Sequence, residues 1–349
     1  MRARIFVLFS ICLLLVSVGA VTKAGGPGPS GYHLINTIQV GGPGGWDYLT
    51  MDTANRRLYV SHSTHVVVID VDAGKVVGDI PDTKGVHGIA IANDLGRGFT
   101  SNGQANTVTI FDLKTLKVLG TVDVGKNPDA IIYEPLTKRV FTFNGRSSDT
   151  TAVDAATGTV AGTIPLGGKP ESAASNGKGR VFVNIEDKSE IIAFDPQKLT
   201  VEAHWPLAPG KEPSGMAFDA KNNRIFSGCG GSDLMTVMNA ETGKVVASVP
   251  IGKGVDANGF DPETKLAFSS NGQAGGTLTV AHQDSPDKYT VIENVVTHQG
   301  SRTMALDTKT HNVYLAAVEY GPAPAPTEAQ PRPRAPMVPD SFKILVFGK

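Results

Sequence analysis

The chain has 349 residues, with 32 basic and 33 acidic side chains and a formal charge of −1, a near-neutral balance that gives no electrostatic footprint for a nucleic-acid partner. Glycine is abundant at 40 residues and aromatics make up only 7%, which suits many tight turns and close-packed strands and argues against a large ligand-stacking surface. Length alone would permit two or three domains.

In chain order, Arg2 and Arg4 precede an apolar run from Ile5 to Val18, followed by small residues at Gly19, Ala20 and Ala24. The pattern predicts a secretory signal peptide over residues 1–24, cleaved after Ala20 or Ala24, and hence export to a periplasmic or extracellular location. The run is short for a spanning helix, so no integral membrane span is expected once the leader is removed. Cys12 leaves with it, and Cys229 remains as a lone thiol.

From residue 32 a unit recurs every 40 to 46 residues, marked by Tyr59-Val60-Ser61-His62, Phe99-Thr100-Ser101-Asn102, Phe141-Thr142-Phe143-Asn144, Phe182-Val183-Asn184-Ile185, Phe226-Ser227-Gly228-Cys229, Phe268-Ser269-Ser270-Asn271 and Tyr314-Leu315-Ala316-Ala317. Around each tetrad lie an apolar strand before it, a β-branched run after it, Gly/Asp/Asn turns and a last strand. In the first unit these strands are expected at 47–51, 57–61, 66–70 and 75–80. Four short antiparallel strands per unit, seven times over, predict an all-β, seven-bladed β-propeller covering residues 32–349 as one domain. After Tyr314 only one strand remains, at 342–347, while residues 34–40 have the fourth-strand pattern. Pairing the two closes the ring with the N-terminal strand in the last blade. A Pro-rich insertion at 321–339 interrupts that blade and is expected to be an extended or mobile surface segment, serving either as a tolerated insertion or as a docking strip or flap.

These tetrads make the chain resemble the YVTN-repeat, YncE-like family of seven-bladed propellers, over the span from about residue 32 to the C-terminus. Asn102, Asn144 and Asn271 keep the terminal Asn of the motif, whereas His62, Ile185, Cys229 and Ala317 depart from it.

Alternation of strand direction places the blade-to-blade loops and the second-to-third strand loops on one face. The opposite face carries stereotyped turns such as Asp72-Ala73-Gly74 and Glu241-Thr242-Gly243, whose residues are explained by turn geometry. Counting back twelve residues from each tetrad, or eleven from Phe182, gives Asp47, His87, Asp129, Glu171, Ser214, Asp256 and Arg302. These equivalent positions start the innermost strands, where a central channel opens, and form the predicted ligand-binding ring. A second tier follows the tetrads: His62, His65, Asn102, Gln104, Asn144, Arg146, Glu186, Asp187, Asp233, Asn271 and Gln273. Capping of strand ends would account for single members of the ring but not for Arg302, which accepts no hydrogen bond.

The sequence therefore points to an exported binding module that takes a small molecule or protein at the channel mouth. Two alternatives stand beside it. One is a metal-assisted lactonase- or lyase-like enzyme with His87 as acid or base, Asp129, Glu171 and Asp256 as ligands or partners, and Arg302 stabilising an anion. The other is a redox accessory or electron-transfer partner. No cofactor is specified: clustered carboxylates would accommodate a divalent cation, but no spacing fixes a metal. Haem-attachment, nucleophile-elbow and phosphate-loop motifs are absent from the sequence.

Overall fold

The computed structural model describes residues 28–325, 333 and 335–349. The predicted leader and the middle of the Pro-rich insertion lie outside the described residues. Among those described, 28 strands form seven four-stranded antiparallel sheets and helix is confined to two short 3-10 turns, Asn93–Leu95 and Glu186–Lys188. No helix among them is long and apolar enough to cross a membrane.

Each blade runs outward from the channel in sequence order. Blade one comprises Leu49–Asp52, Arg57–His62, His65–Asp70 and Lys75–Ile80, and blade two comprises Val86–Ala92, Arg97–Asn102, Thr107–Asp112 and Val118–Asp123. Blade seven differs. Its strands Met304–Asp307, Asn312–Ala317 and Lys343–Gly348 are completed by His33–Gln39, which pairs antiparallel with the last of them from His33 opposite Gly348 to Gln39 opposite Lys343.

Both faces of every blade are covered by neighbouring blades, so the second and third strands are buried along nearly their whole length instead of alternating. The tetrad aromatics Tyr59, Phe99, Phe141, Phe182, Phe226, Phe268 and Tyr314 are all buried, and each belongs to a different one of the hydrophobic clusters that fill the ring. The repeat is thus a packing device, placing one large ring in each cluster.

The loop classes separate as strand direction requires. Ser63, after the second strand of blade one, accepts from Gly85 and Val86 on the connection to blade two. On the opposite face Arg56 bridges Asp72 of its own blade at 2.9 Å and the buried Asp307 of blade seven at 2.7 Å. The Pro-rich insertion joins the second and third strands of blade seven, and so emerges on the mouth face. Its described ends are more ordered than the composition suggested: Tyr320 bridges Met337, and the Gly321 and Val338 amides donate to Pro336 and Glu319 at 2.8 Å. The two strands it connects hold its ends side by side, which makes pairing of the stem inexpensive.

Candidate functional site at the channel mouth

The predicted ring residues sit at the second position of the innermost strands in blades two to six, in Val86–Ala92, Pro128–Glu134, Pro170–Ser175, Pro213–Asp219 and Val255–Asp261. In blades one and seven they lie two residues before Leu49–Asp52 and Met304–Asp307. In each of blades two to six the strand register shifts immediately at this residue. Such a bulge breaks the ladder for a residue and re-aims the side chain, here at the opening of the channel.

Polar side chains, all but Thr303 from the tetrads, hold this backbone. Ser61 Oγ accepts from the Asp47 amide at 2.8 Å. Ser101 Oγ accepts from the Gly88 amide at 2.9 Å and donates to the Asp129 carbonyl of the next blade. Asn184 Nδ2 donates to the Ser214 and Gly215 carbonyls at 2.9 and 3.1 Å, Ser270 Oγ to the Arg302 carbonyl at 2.5 Å, and Thr303 Oγ1 to the Asp47 carbonyl at 2.7 Å across the ring closure. Backbone groups around the mouth, including those at the bulges of blades two, three and five, are therefore paired by side chains, as buried polar groups require.

Six of the seven side chains join one network. His87 Nδ1 lies 2.6 Å from Asp47 Oδ2 and 3.8 Å from Asp129 Oδ1. Arg302 reaches Asp47 Oδ1 at 3.3 Å and Asp256 Oδ2 at 2.7 Å, and Ser214 Oγ donates to Asp256 Oδ1 at 2.6 Å. Glu171 stands apart from this chain and pairs with Lys169 Nζ at 2.7 Å, while Lys169 also meets Glu186. Lys169 was not in the predicted set. It lies two residues before Glu171, outside the repeat-equivalent position, and only the proximity of a basic residue to an acidic one signalled it. Tyr48 was also missed; its hydroxyl lies 3.4 Å from Ser172 Oγ, among the carboxylates.

The second tier does not converge with the ring. Asn102, Asn144 and Asn271 are buried within their blades, not presented at the mouth. Each amide bonds threonine hydroxyls on the third strand: Asn102 to Thr109 at 2.8 Å, Asn144 to Thr151 at 3.0 Å and Asn271 to Thr279 at 3.0 Å. As the last residues of the second strands they are covered by both neighbouring blades, and their assignment as ligand-binding residues is corrected to one of blade cohesion. Gln104, Arg146, Asp187 and Gln273 are exposed, and of this tier Glu186 and Asp187 reach Lys169, Glu186 through its ammonium and Asp187 by accepting from its amide at 2.8 Å.

Crowding of acids dominates the electrostatics. Burial, followed by the field of Asp129, pushes Glu171 up to about 8 against the opposing Lys169. Burial and the fields of Asp47 and Asp256 push Asp129 up to about 6, although His87 and Lys169 pull the other way. Asp256 is raised by burial and by Asp47, in spite of Arg302. Burial disfavours protonated His87, but its bond to Asp47 and the fields of Asp129 and Glu171 outweigh this and raise it above the ordinary histidine value. Tyr48 is raised well above the usual phenol range by burial and the surrounding carboxylates, so it stays protonated.

Asp47, His87 and Asp129 each offer a ligand atom within 4.8 Å of the others. A divalent cation would fit these donors only with His87 neutral, so it would compete with the proton that His87 holds. Beneath the ring the channel narrows to a cavity of about 190 Å³, lined by Tyr48, Ile89, Ile131, Met216 and Met304 among others. The mouth is thus a charged collar over a throat of mixed polarity, where Tyr48, Thr50, Ser172 and Asn258 stand among apolar side chains.

No protein-family model matches the chain, and no curated protein matches it. Solved structures do. One described as the crystal structure of the mitotic checkpoint complex aligns over 100% of this chain and 99% of its own with a TM-score of 0.71 and 14% identity. Another, the structure of U3-55K, aligns over 92% and 99% with a TM-score of 0.72 and 8% identity. The chain is a seven-bladed β-propeller. At these identities the likeness is one of fold alone, and function has to be argued from the site.

Proposed function

We propose that this protein is an exported propeller that binds a small cationic ligand at its channel mouth. The observation that carries the reading is the charge balance of the collar: five carboxyl groups, from Asp47, Asp129, Glu171, Glu186 and Asp256, meet three bases, His87, Lys169 and Arg302. A positive group placed there relieves the repulsion that raises Asp129, Glu171 and Asp256, while the throat below leaves room for a small uncharged portion. Export rests on the basic and apolar pattern of residues 1–24, and the tetrads support placement in the YVTN-repeat, YncE-like family.

Thermal melting with panels of small alkylammonium compounds, divalent cations and small anions tests the reading. A ligand at a hundred times its Kd adds about 2.7 kcal/mol to the native state. Ammonium compounds should raise the melting temperature of the native protein and fail to do so in Asp129→Asn and Asp256→Asn. Stabilisation by anions only, or by none of the probes, would remove the basis for it.

The Asp47–His87 hydrogen bond favours a second reading, since a carboxylate that orients an imidazole is the arrangement of a general base. In that case His87→Gln would abolish turnover of a lactone or ester panel while ligand-induced stabilisation persisted.

A further inference from the structure

Blade one departs from the repeat at the hairpin between its second and third strands. Where Asn102 faces Thr107, Asn144 faces Asp149 and Asn271 faces Thr277 in other blades, each pair joined by a side-chain hydrogen bond, blade one sets His62 opposite His65 across the two-residue turn Ser63-Thr64. The mouth network uses neither histidine.

The geometry between the two rings is that of a chelate. His62 Nδ1 and His65 Nε2 are 3.4 Å apart, with ring centroids separated by 5.0 Å and planes at 65°. That is long for a hydrogen bond, whose usual separation is about 2.9–3.0 Å. Two imidazole nitrogens bound at about 2.0–2.1 Å to one tetrahedral ion lie about 3.3–3.4 Å apart.

His62 is also held rigidly and left short of partners. It is 1% exposed and stacks on Phe342 at 4.6 Å and 15°. Its Nδ1 makes the long contact to His65, the Gly44 carbonyl lies near the ring, and its Nε2 is buried with no hydrogen-bond partner. An ion between the rings would replace the long Nδ1 contact with a bond, while Nε2 stays unpartnered. Gly42 lets the backbone pass close to the ring: a Cβ there would lie 3.1 Å from His62 Cε1. Both histidines line a cleft of about 880 Å³ that also carries Asp79, Asp82 and Lys84, so an ion has a route in and carboxylates near its path.

We propose that His62 and His65 form a two-histidine site for a divalent transition-metal ion of the zinc class, open to the cleft. Imidazole nitrogen suits Zn²⁺, Co²⁺, Ni²⁺ and Cu²⁺ over Mg²⁺ and Ca²⁺, which prefer oxygen. Two protein ligands leave the remaining coordination positions to water or to a ligand entering through the cleft. The site is separate in residues and in donor chemistry from the acid-rich Asp47, His87 and Asp129 group.

The test is titration of untagged, metal-stripped full-chain protein with Co²⁺, followed by its visible absorption, and with Zn²⁺ by calorimetry. One ion per chain should bind, Mg²⁺ should not compete, and binding should weaken as pH falls through the histidine range. His65→Ala should lower affinity about tenfold or more, while His87→Ala leaves it unchanged. The double variant His62→Asn with His65→Thr restores the Asn–Thr pair of blade two, so it should fold normally and bind no ion. Absence of binding in the native protein would overturn the proposal. So would binding that survives in the double variant, or that disappears with His87→Ala.

Discussion

Asp47 and His87 stand 40 residues apart in adjacent blades and meet at 2.6 Å across the channel mouth. The contact ties blade one to blade two through a charge pair, and Arg302 ties blade seven to blade one through the other oxygen of the same Asp47. One carboxylate thus links three blades at the seam where the ring closes, and the acids around it set the pH response of the fold.

Glu171 is raised from an ordinary value near 4.5 to about 8, and Asp129, Asp256 and His87 are raised as well. Groups with raised folded-state values bind protons more tightly in the native protein than in the unfolded chain, so their contribution is lost as pH rises through the folded values. Urea midpoints should fall from pH 5 to pH 9, a window above the range where depressed acids such as Asp72 and Asp307 titrate. Glu171→Gln should flatten that decline and be on the order of 1 kcal/mol more stable than the native protein at pH 9. An unchanged slope in the variant would show that Glu171 ionises without cost.

Arg302→Met removes the guanidinium shared by Asp256 and Asp47. The arginine side chain is 40% exposed and that of Asp256 26%, so the loss should fall between those of surface and buried pairs, about 1–2 kcal/mol at pH 7. It should shrink as pH falls and Asp256, whose carboxyl burial holds above the usual range, takes up a proton. In a double-mutant cycle, adding Asp256→Asn should recover part of the loss; strict additivity would mean that the two groups do not interact.

Ser101→Ala leaves the Gly88 amide and the Asp129 carbonyl without their side-chain partner. The expected cost is about 1–3 kcal/mol, together with weaker binding of any mouth ligand, because the bulge that aims His87 and Asp129 loses its brace. Thr115→Ala, in an exposed turn on the opposite face, serves as the control and should leave ligand binding unchanged. A stable Ser101 variant with native binding would contradict the bracing role.

Closure by the N-terminal strand can be tested at Tyr32, which is 1% exposed, packs edge-on against Phe268 at 5.2 Å and donates to the His311 carbonyl at 2.8 Å. Tyr32→Ala should cost about 3–5 kcal/mol as a large buried ring is lost, and Tyr32→Phe about 1 kcal/mol for the hydrogen bond alone. Equal denaturation midpoints for all three proteins would show that the terminal strand contributes little to the ring.

The architecture was legible because the repeat carries its own packing signal: Tyr59, Phe99 and their five counterparts each fill one inter-blade cluster, and their spacing gives the blade length directly. The ring positions followed from the same count. Lys169 was not legible, since it reaches Glu171 from a connecting-loop position that carries Gly85, Asn127, Glu212 and Gly254 in other blades. Asn102, Asn144 and Asn271 were misplaced because a polar residue before a loop reads as exposed, whereas here the strand continues through it and both flanking blades cover it. The bulges were hidden as well. They add no distinctive residue, and their braces, Ser101 and Ser270, look like ordinary polar positions of a tetrad.

Those bulges separate two jobs that most binding sites combine. The backbone beneath the mouth is fixed by hydroxyls and amides of the second strands, so the one side chain that each blade contributes at the opening can be exchanged without redesigning a loop. Positions 47, 87, 129, 171, 214, 256 and 302 form a seven-letter alphabet written on a constant frame. A library randomised at those seven sites should yield proteins of one shape with widely different ligand preferences.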